Sequence, residues 1–141
     1  MKTSKNGINF IIKNEGCRLK AYQDIRGIWT IGYGWTGMVD NRFIGKDTTI
    51  TINQAETFLE LHLITIENCI NSKVKVKLNQ NQFDALVDFI YNTGIYAFTS
   101  STLLKVLNEG DYNAAAVQFL AWNKPIQLLK RRESEKALFL S

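Results

Sequence analysis

One stretch constrains the fold of this chain more than any other. From Lys20 to Val39, aromatic and β-branched side chains alternate with glycines: Tyr22, Ile25, Gly27, Trp29, Ile31, Gly32, Tyr33, Gly34. Period-two alternation suits an extended chain with side chains on opposite faces, and repeated glycines permit tight turns. The stretch predicts a small glycine-rich β-sheet, with Asp24-Ile25-Arg26-Gly27 as one of its turns.

Elsewhere the apolar spacing is helical. Ser4 to Asn14 reads as a short helix with Ser4 as N-cap, an Ile8/Ile11/Ile12 stripe and Gly16 as the stop. Thr51 followed by Gln54 fits a capping box, and Ala55, Phe58, Leu59, His62, Ile66, Cys69 and Ile70 then recur at helical spacing to about Asn71. Asn79 opens another helix, Ser100 or Ser101 caps a third, Asp111 a fourth through Trp122, and Pro125 stands in the first turn of the last. The expected fold is α+β: a mostly helical body with a small β-lobe inserted after the first helix, and a cleft between the lobes as the place for a site. The expected organisation is a single domain over 1–141, with a β-lobe at about 17–50, a connecting helix at about 51–71, and a helical lobe at about 72–141 plus the N-terminal helix.

The bulk numbers fit one domain of 141 residues, 45% hydrophobic and 21% charged, able to bury a core without disulfides. The net charge of +4 favours an anionic partner at long range, although it also serves solubility. Cys17 and Cys69 lie in segments that read as helical and are expected to be free, packed thiols. With His62 the only histidine, no zinc cluster can be assembled, and His62 itself reads as packed on the apolar stripe of its helix. A secretory h-region needs about 7–15 apolar residues and a membrane span about 20. Neither occurs, so the chain is expected to be made and kept in the cytosol.

Glu15 closes the first helix, Asp24 follows nine positions later in a turn, and Thr30 six further on the next strand. Two carboxylates from different elements can flank one groove. Glycosidic cleavage uses such a pair, one carboxyl giving a proton to the leaving oxygen and the other supporting the oxocarbenium-like centre or activating water. Alone, the spacing equally describes a helix-end charge and a turn former.

The surrounding motifs decide between these. Gly27-Ile28-Trp29-Thr30-Ile31-Gly32-Tyr33-Gly34 resembles the strand motif of the phage-type lysozyme (endolysin) family, and Glu15, Asp24 and Thr30 match that family's catalytic Glu, Asp and Thr in order and spacing. Leu78 to Phe89, Tyr91-Asn92-Thr93-Gly94, Phe98 to Leu104, Leu107 to Asp111 and Arg131 to Leu140 are similar to further family segments, in order, over nearly the whole chain. The resemblance implies a lysozyme-like fold and hydrolysis of the β-1,4 bond between N-acetylmuramic acid and N-acetylglucosamine. Glu15 would be the acid, while Asp24 and Thr30 would hold and activate the water. Tyr33, Asn92 and Phe98 would contact substrate, and Arg131 and Arg132 would give support. It implies no metal or cofactor, no nucleic acid, no stable membrane insertion and a monomer. Its partners would be peptidoglycan and a holin-type pore protein that releases the enzyme from the host cytoplasm. Trp35 stands where many members have His, which predicts local repacking. Trp122 to Gln127 runs almost directly into the last helix, where many relatives carry a glycine-rich insert.

Three rivals remain at this point. A lytic transglycosylase needs one Glu and no water-activating Asp. A membrane-active cationic protein would use Lys124, Lys130, Arg131, Arg132 and Lys136 on a basic C-terminal helix. A wall-binding module would have lost catalysis. The charges from Lys130 to Lys136 otherwise read as a solvated helix face, and Lys73, Lys75 and Lys77 as a solvated linker.

Overall fold

The structure is a computed structural model that describes all 141 residues. Seven α-helices and two strands follow the order α1 (Lys5–Glu15), β1 (Arg18–Gln23), β2 (Trp29–Gly32), α2 (Ile52–Lys73), α3 (Gln80–Thr93), α4 (Ile95–Thr99), α5 (Thr102–Asn108), α6 (Tyr112–Gln118) and α7 (Leu129–Leu140). Short 3-10 turns at Phe119–Ala121 and Ile126–Leu128 lie between α6 and α7. The chain divides into two compact units, one comprising Ile12–His62 and the other Met1–Ile11 with Leu63–Ser141.

The Ile12–His62 unit holds the sheet. β1 and β2 are antiparallel, with Tyr22 opposite Thr30, Gln23 opposite Trp29 and Arg18 opposite Gly32. The register shifts between Arg18 and Tyr22, and there the strand turns its hydrogen bonds to a third segment: Ala21 N donates to Thr48 O (2.9 Å) and Ile50 N to Leu19 O (2.9 Å). Gly32 has φ +66, and a Cβ there would meet Ile50 Cδ1 at 3.3 Å, so the strand end needs a residue with neither side chain nor φ penalty. Ile31, Tyr33, Val39, Ile44, Ile50, Ala55 and Leu59 form the buried interior. Trp35 lies flat on Phe58, with centroids 4.8 Å apart and planes 7° from parallel, and its Nε1 donates to Met38 O at 3.1 Å.

α2 starts with the expected capping box: Gln54 N donates to Thr51 Oγ1 (3.2 Å) and Thr51 N to Gln54 Oε1 (2.9 Å). In the other unit α3 is central. Every residue from Phe83 to Ile90 is buried, so this helix is covered on all sides. Asn79 caps it with a second capping box. Ser4 caps α1 by accepting from Gly7 N at 3.1 Å, and its own hydroxyl and N–H donate to Asp84 of α3. Phe89, Phe119, Trp122 and Phe139 form an edge-to-face and tilted aromatic cluster at 5.4–5.6 Å.

Four expectations need correction. A separate short helix, α4, precedes the one Ser101 caps, because Gly94 at φ +96 breaks the helical run after Thr93. The helix opened by Asp111 ends at Gln118 and tightens to 3-10 before Trp122. Pro125 opens a 3-10 turn, and the last α-helix starts only at Leu129. Cys17 is exposed in the connection between α1 and β1 rather than packed in a helix, because Gly16 at φ +67 has already ended α1; both cysteines are free, and Cys69 is half-buried. No helix is long and apolar enough to cross a membrane.

Candidate active site

The site is best followed from its hairpin. Asp24 begins the turn after β1, and Gly27 N donates to Asp24 O at 2.9 Å, with Gly27 at φ +79 completing the reversal. Asp24 Oδ1 accepts from Arg26 N (2.8 Å) and Ile28 N (3.0 Å), so the carboxylate is clamped to its own turn. The Ile28 hydrogen bond, with that from Arg26 and the Arg26 guanidinium, holds the Asp24 carboxyl below the usual carboxylate range against a smaller opposing effect of desolvation. Asp24 is thus ionised at neutral pH. Its other oxygen, Oδ2, has the exposed Arg26 guanidinium nearby, at 3.7 Å.

Thr30 is tied to the same turn. Its Oγ1 donates to Ile28 O at 3.0 Å, and Asp24 N donates to that carbonyl at 2.9 Å. The backbone of one residue, Ile28, therefore fixes both the Asp24 carboxylate and the Thr30 hydroxyl. With its proton spent on Ile28, the Thr30 oxygen is left as an acceptor. Glu15 is the final residue of α1, half-buried, and the chain turns away behind it at Gly16. All three residues belong to the Ile12–His62 unit.

The remaining expected residues divide. Tyr33 is 5% exposed, and burial, with Cys17 and Glu56 adding to it, pushes its phenol up. Phe98 is 0% exposed and packs in the core of the helical unit, so the expected direct contact with substrate is replaced by a packing role. Asn92 is half-buried and lines a pocket of about 440 Å³ with Thr93, Ala121, Trp122, Lys124 and Leu128. The short Trp122–Gln127 connection thus supplies one wall of that pocket.

The arginines correct a further expectation. α7 does not present Lys130 to Lys136 as one solvated face. Arg131 donates to both oxygens of Asp88 (2.9 and 2.8 Å), and Arg132 Nη2 donates to Glu135 Oε1 (2.9 Å) and Asn92 Oδ1 (2.8 Å). Arg132, Glu135 and Asp88 are each 0% exposed. Two of the cations on which a membrane-disrupting helix would depend are thereby withdrawn from solvent into hydrogen bonds with buried and half-buried side chains. Desolvation, reinforced by a hydrogen bond to Asp88 and its charge, pushes Glu135 up to about 10 despite the two arginines. Asp88 and Glu135 were not foreseen. Their signal was present as the second of two carboxylates, Asp84 and Asp88, inside the otherwise apolar Phe83–Ile90 run and a glutamate three residues after paired arginines. No group of three or more His, Cys, Asp or Glu side chains is placed to hold a metal ion.

A helical bundle with a small glycine-rich antiparallel sheet after its first helix is a lysozyme-like fold. Solved structures similar to it include a P22 lysozyme mutant, 48% identical with a TM-score of 0.90 over 100% of this chain and 99% of that one. The muramidase domain of SpmX from Asticaccaulis excentricus is 37% identical, with a TM-score of 0.89 over 99% and 98%. In sequence, the endolysin of Salmonella phage P22 is 49% identical over 145 residues, covering 100% of this chain and 99% of that protein. The phage lysozyme family model matches residues 12–135. The chain belongs to the phage lysozyme family.

Proposed function

We propose that this protein is an endolysin, which hydrolyses the β-1,4 bond between N-acetylmuramic acid and N-acetylglucosamine in bacterial peptidoglycan and so lyses a phage's host cell. The observation that carries this is the hairpin: the backbone of Ile28 locks an ionised carboxylate and an acceptor hydroxyl into one rigid turn. A water donating one hydrogen to Asp24 Oδ2 and the other to Thr30 Oγ1 keeps a lone pair for the anomeric carbon. Asp24, held below the usual carboxylate range, is a modest base. That suffices where the sugar has already become oxocarbenium-like. Glu15 protonates the leaving oxygen. The names of the relatives, endolysin and muramidase, support the same substrate.

The reaction is inverting in this reading. Thr30 has a use only if water, not Asp24, attacks the sugar. A water-mediated pair of carboxyl groups stands about 6.5–9.5 Å apart, against about 5–5.5 Å for a nucleophilic pair. A lytic transglycosylase has no need of the Asp24–Thr30 arrangement. The protein acts as a monomer, is made in the host cytoplasm and reaches the wall after a holin-type protein opens the membrane.

The test is product analysis on purified peptidoglycan. The wild type should release reducing ends with the α-anomer first. Glu15→Gln should stay folded and lose about 10²–10⁴-fold in rate. An anhydro sugar, a β-anomer seen first, or full activity of Glu15→Gln would refute the assignment.

A further inference from the structure

Two tight turns follow one another between β2 and α2. Arg42 N donates to Val39 O at 3.0 Å and Val39 N to Arg42 O at 2.9 Å, across a two-residue turn in which Asp40 and Asn41 have φ +50 and +61. The second turn is closed by Thr48 N donating to Gly45 O at 3.0 Å and Gly45 N to Thr48 Oγ1 at 2.9 Å. Val39 and Ile44 anchor the segment in the buried interior of the Ile12–His62 unit. A pocket of about 340 Å³ lies against both turns, lined by Val39, Asp40, Arg42, Phe43, Thr48 and Thr49.

The side chains at its mouth have no use within the fold. Asp40 and Arg42 carry opposite charges on one rigid turn, yet neither side chain makes an ion pair or a hydrogen bond. The turn does not need the aspartate: glycine takes a positive φ at no steric cost, and the Asp40 carboxylate closes no bond of the turn. Phe43 is 87% exposed although Ile44 beside it is buried. A carboxylate, a guanidinium and an aromatic face are thus held ready by fixed backbone, which lowers the ordering cost of binding.

We propose that this pocket receives the peptide stem of a peptidoglycan strand, with Arg42 on a stem carboxylate, Asp40 on a stem ammonium and Phe43 against the alkyl chain between them. The proposal rests on the glycosidase reading above. A neutral sugar can hydrogen-bond to Asp40 and Arg42 but neutralises neither, whereas an uncross-linked stem carries free amino and carboxyl groups together. The reach fits as well. Thr49 pairs with Lys20 of β1, four residues before Asp24, or about 13 Å along the strand. A stem of about four extended residues spans the same length, and it hangs from N-acetylmuramic acid, one of the two sugars of the scissile bond.

The test compares soluble strands that keep uncross-linked stems with the same strands stripped of them by an amidase. On stem-bearing strands Asp40→Asn/Arg42→Gln should raise KM about two- to tenfold, the effect of two exposed charge contacts, and the rise should shrink at high salt. On stripped strands its KM should equal that of the wild type. Its kcat should stay within about twofold and its melting temperature should not fall, since both side chains are exposed. Titrating the wild type with released stem peptide should shift the backbone amide resonances of Val39 to Phe43, Thr48 and Thr49, and the double variant should show no such shifts. A wild-type KM for the double variant on stem-bearing strands overturns the proposal, and so does an equal rise on stripped strands, which would assign the pocket to sugar. If the wild type releases no reducing ends from either kind of strand, the glycosidase reading fails instead. The peptide titration then decides the pocket by itself: shifts at these residues retain it, and their absence overturns it.

Discussion

Thr30→Val is the sharpest probe of the hairpin, because its two effects differ in size. Valine has nearly the shape of threonine and keeps the methyl packing of a residue that is 5% exposed. The loss is one hydroxyl, whose structural partner is Ile28 O at 3.0 Å. That carbonyl retains Asp24 N at 2.9 Å, so no buried acceptor is orphaned and the cost should be about 0.5–1.5 kcal/mol. For a chain of this length, that is a fall of roughly 2–6 °C in melting temperature. Losing the hydroxyl that holds the attacking water should cost about 10²-fold in rate, or about 2.7 kcal/mol of transition-state stabilisation. The measurements are a thermal melt and the initial rate of reducing-sugar release, made on the same preparation. Thr30→Ser restores the acceptor and should recover most of the rate. A valine variant with wild-type turnover would refute the role of Thr30. A melting temperature more than about 10 °C lower would show that the hydroxyl matters to the fold instead.

Two further outcomes follow from the packing and the buried charges. Trp35→Ala removes one face of the 4.8 Å stack on Phe58; since Trp35 is half-buried, the loss should be about 2–3 kcal/mol rather than the 3–5 of a fully buried aromatic, and under 1 kcal/mol in a denaturant melt would mean the stack is incidental. Glu135 is raised from 4.5 to about 10, so the folded state binds its proton more tightly than the unfolded state; its stabilising effect is complete below about pH 4.5 and is lost progressively as pH rises toward 10. Glu135→Gln should flatten that decline of melting temperature with rising pH, and an unchanged pH profile would refute the shift.

How far the sequence could be read depended on whether its signals were local. The capping residues Ser4, Thr51, Asn79, Ser101 and Asp111 act within three residues of themselves, and each caps as expected. The Asp24–Gly27 turn and the Trp29–Gly32 strand are legible for the same reason. The misreadings came where tertiary context decides. Arg131, Arg132 and Glu135 look like solvated helix charges until Asp88 and Asn92, some forty residues earlier, are brought against them. Phe98, which the resemblance gave as a substrate contact, is fully buried, because sequence cannot say which side of a five-residue helix is buried. The 3-10 turns around Pro125 arise in a connection too short for helical spacing to be read. The placement of Glu15, Asp24 and Thr30 was legible as order and spacing, but not the Ile28 backbone link between the last two.

That link has a consequence for how this chemistry can be altered. Asp24, Arg26, Ile28 and Thr30 bond to one another's backbone and depend little on side chains elsewhere. Seven consecutive residues therefore behave as an interchangeable part. Substitutions at Ile25, which is fully exposed, leave its wiring untouched, whereas a proline at position 28 would delete the N–H that Asp24 requires while leaving every side chain of the site in place. The part can be varied at its outward positions without retuning its chemistry, and disabled by one change that touches none of the groups that face the sugar.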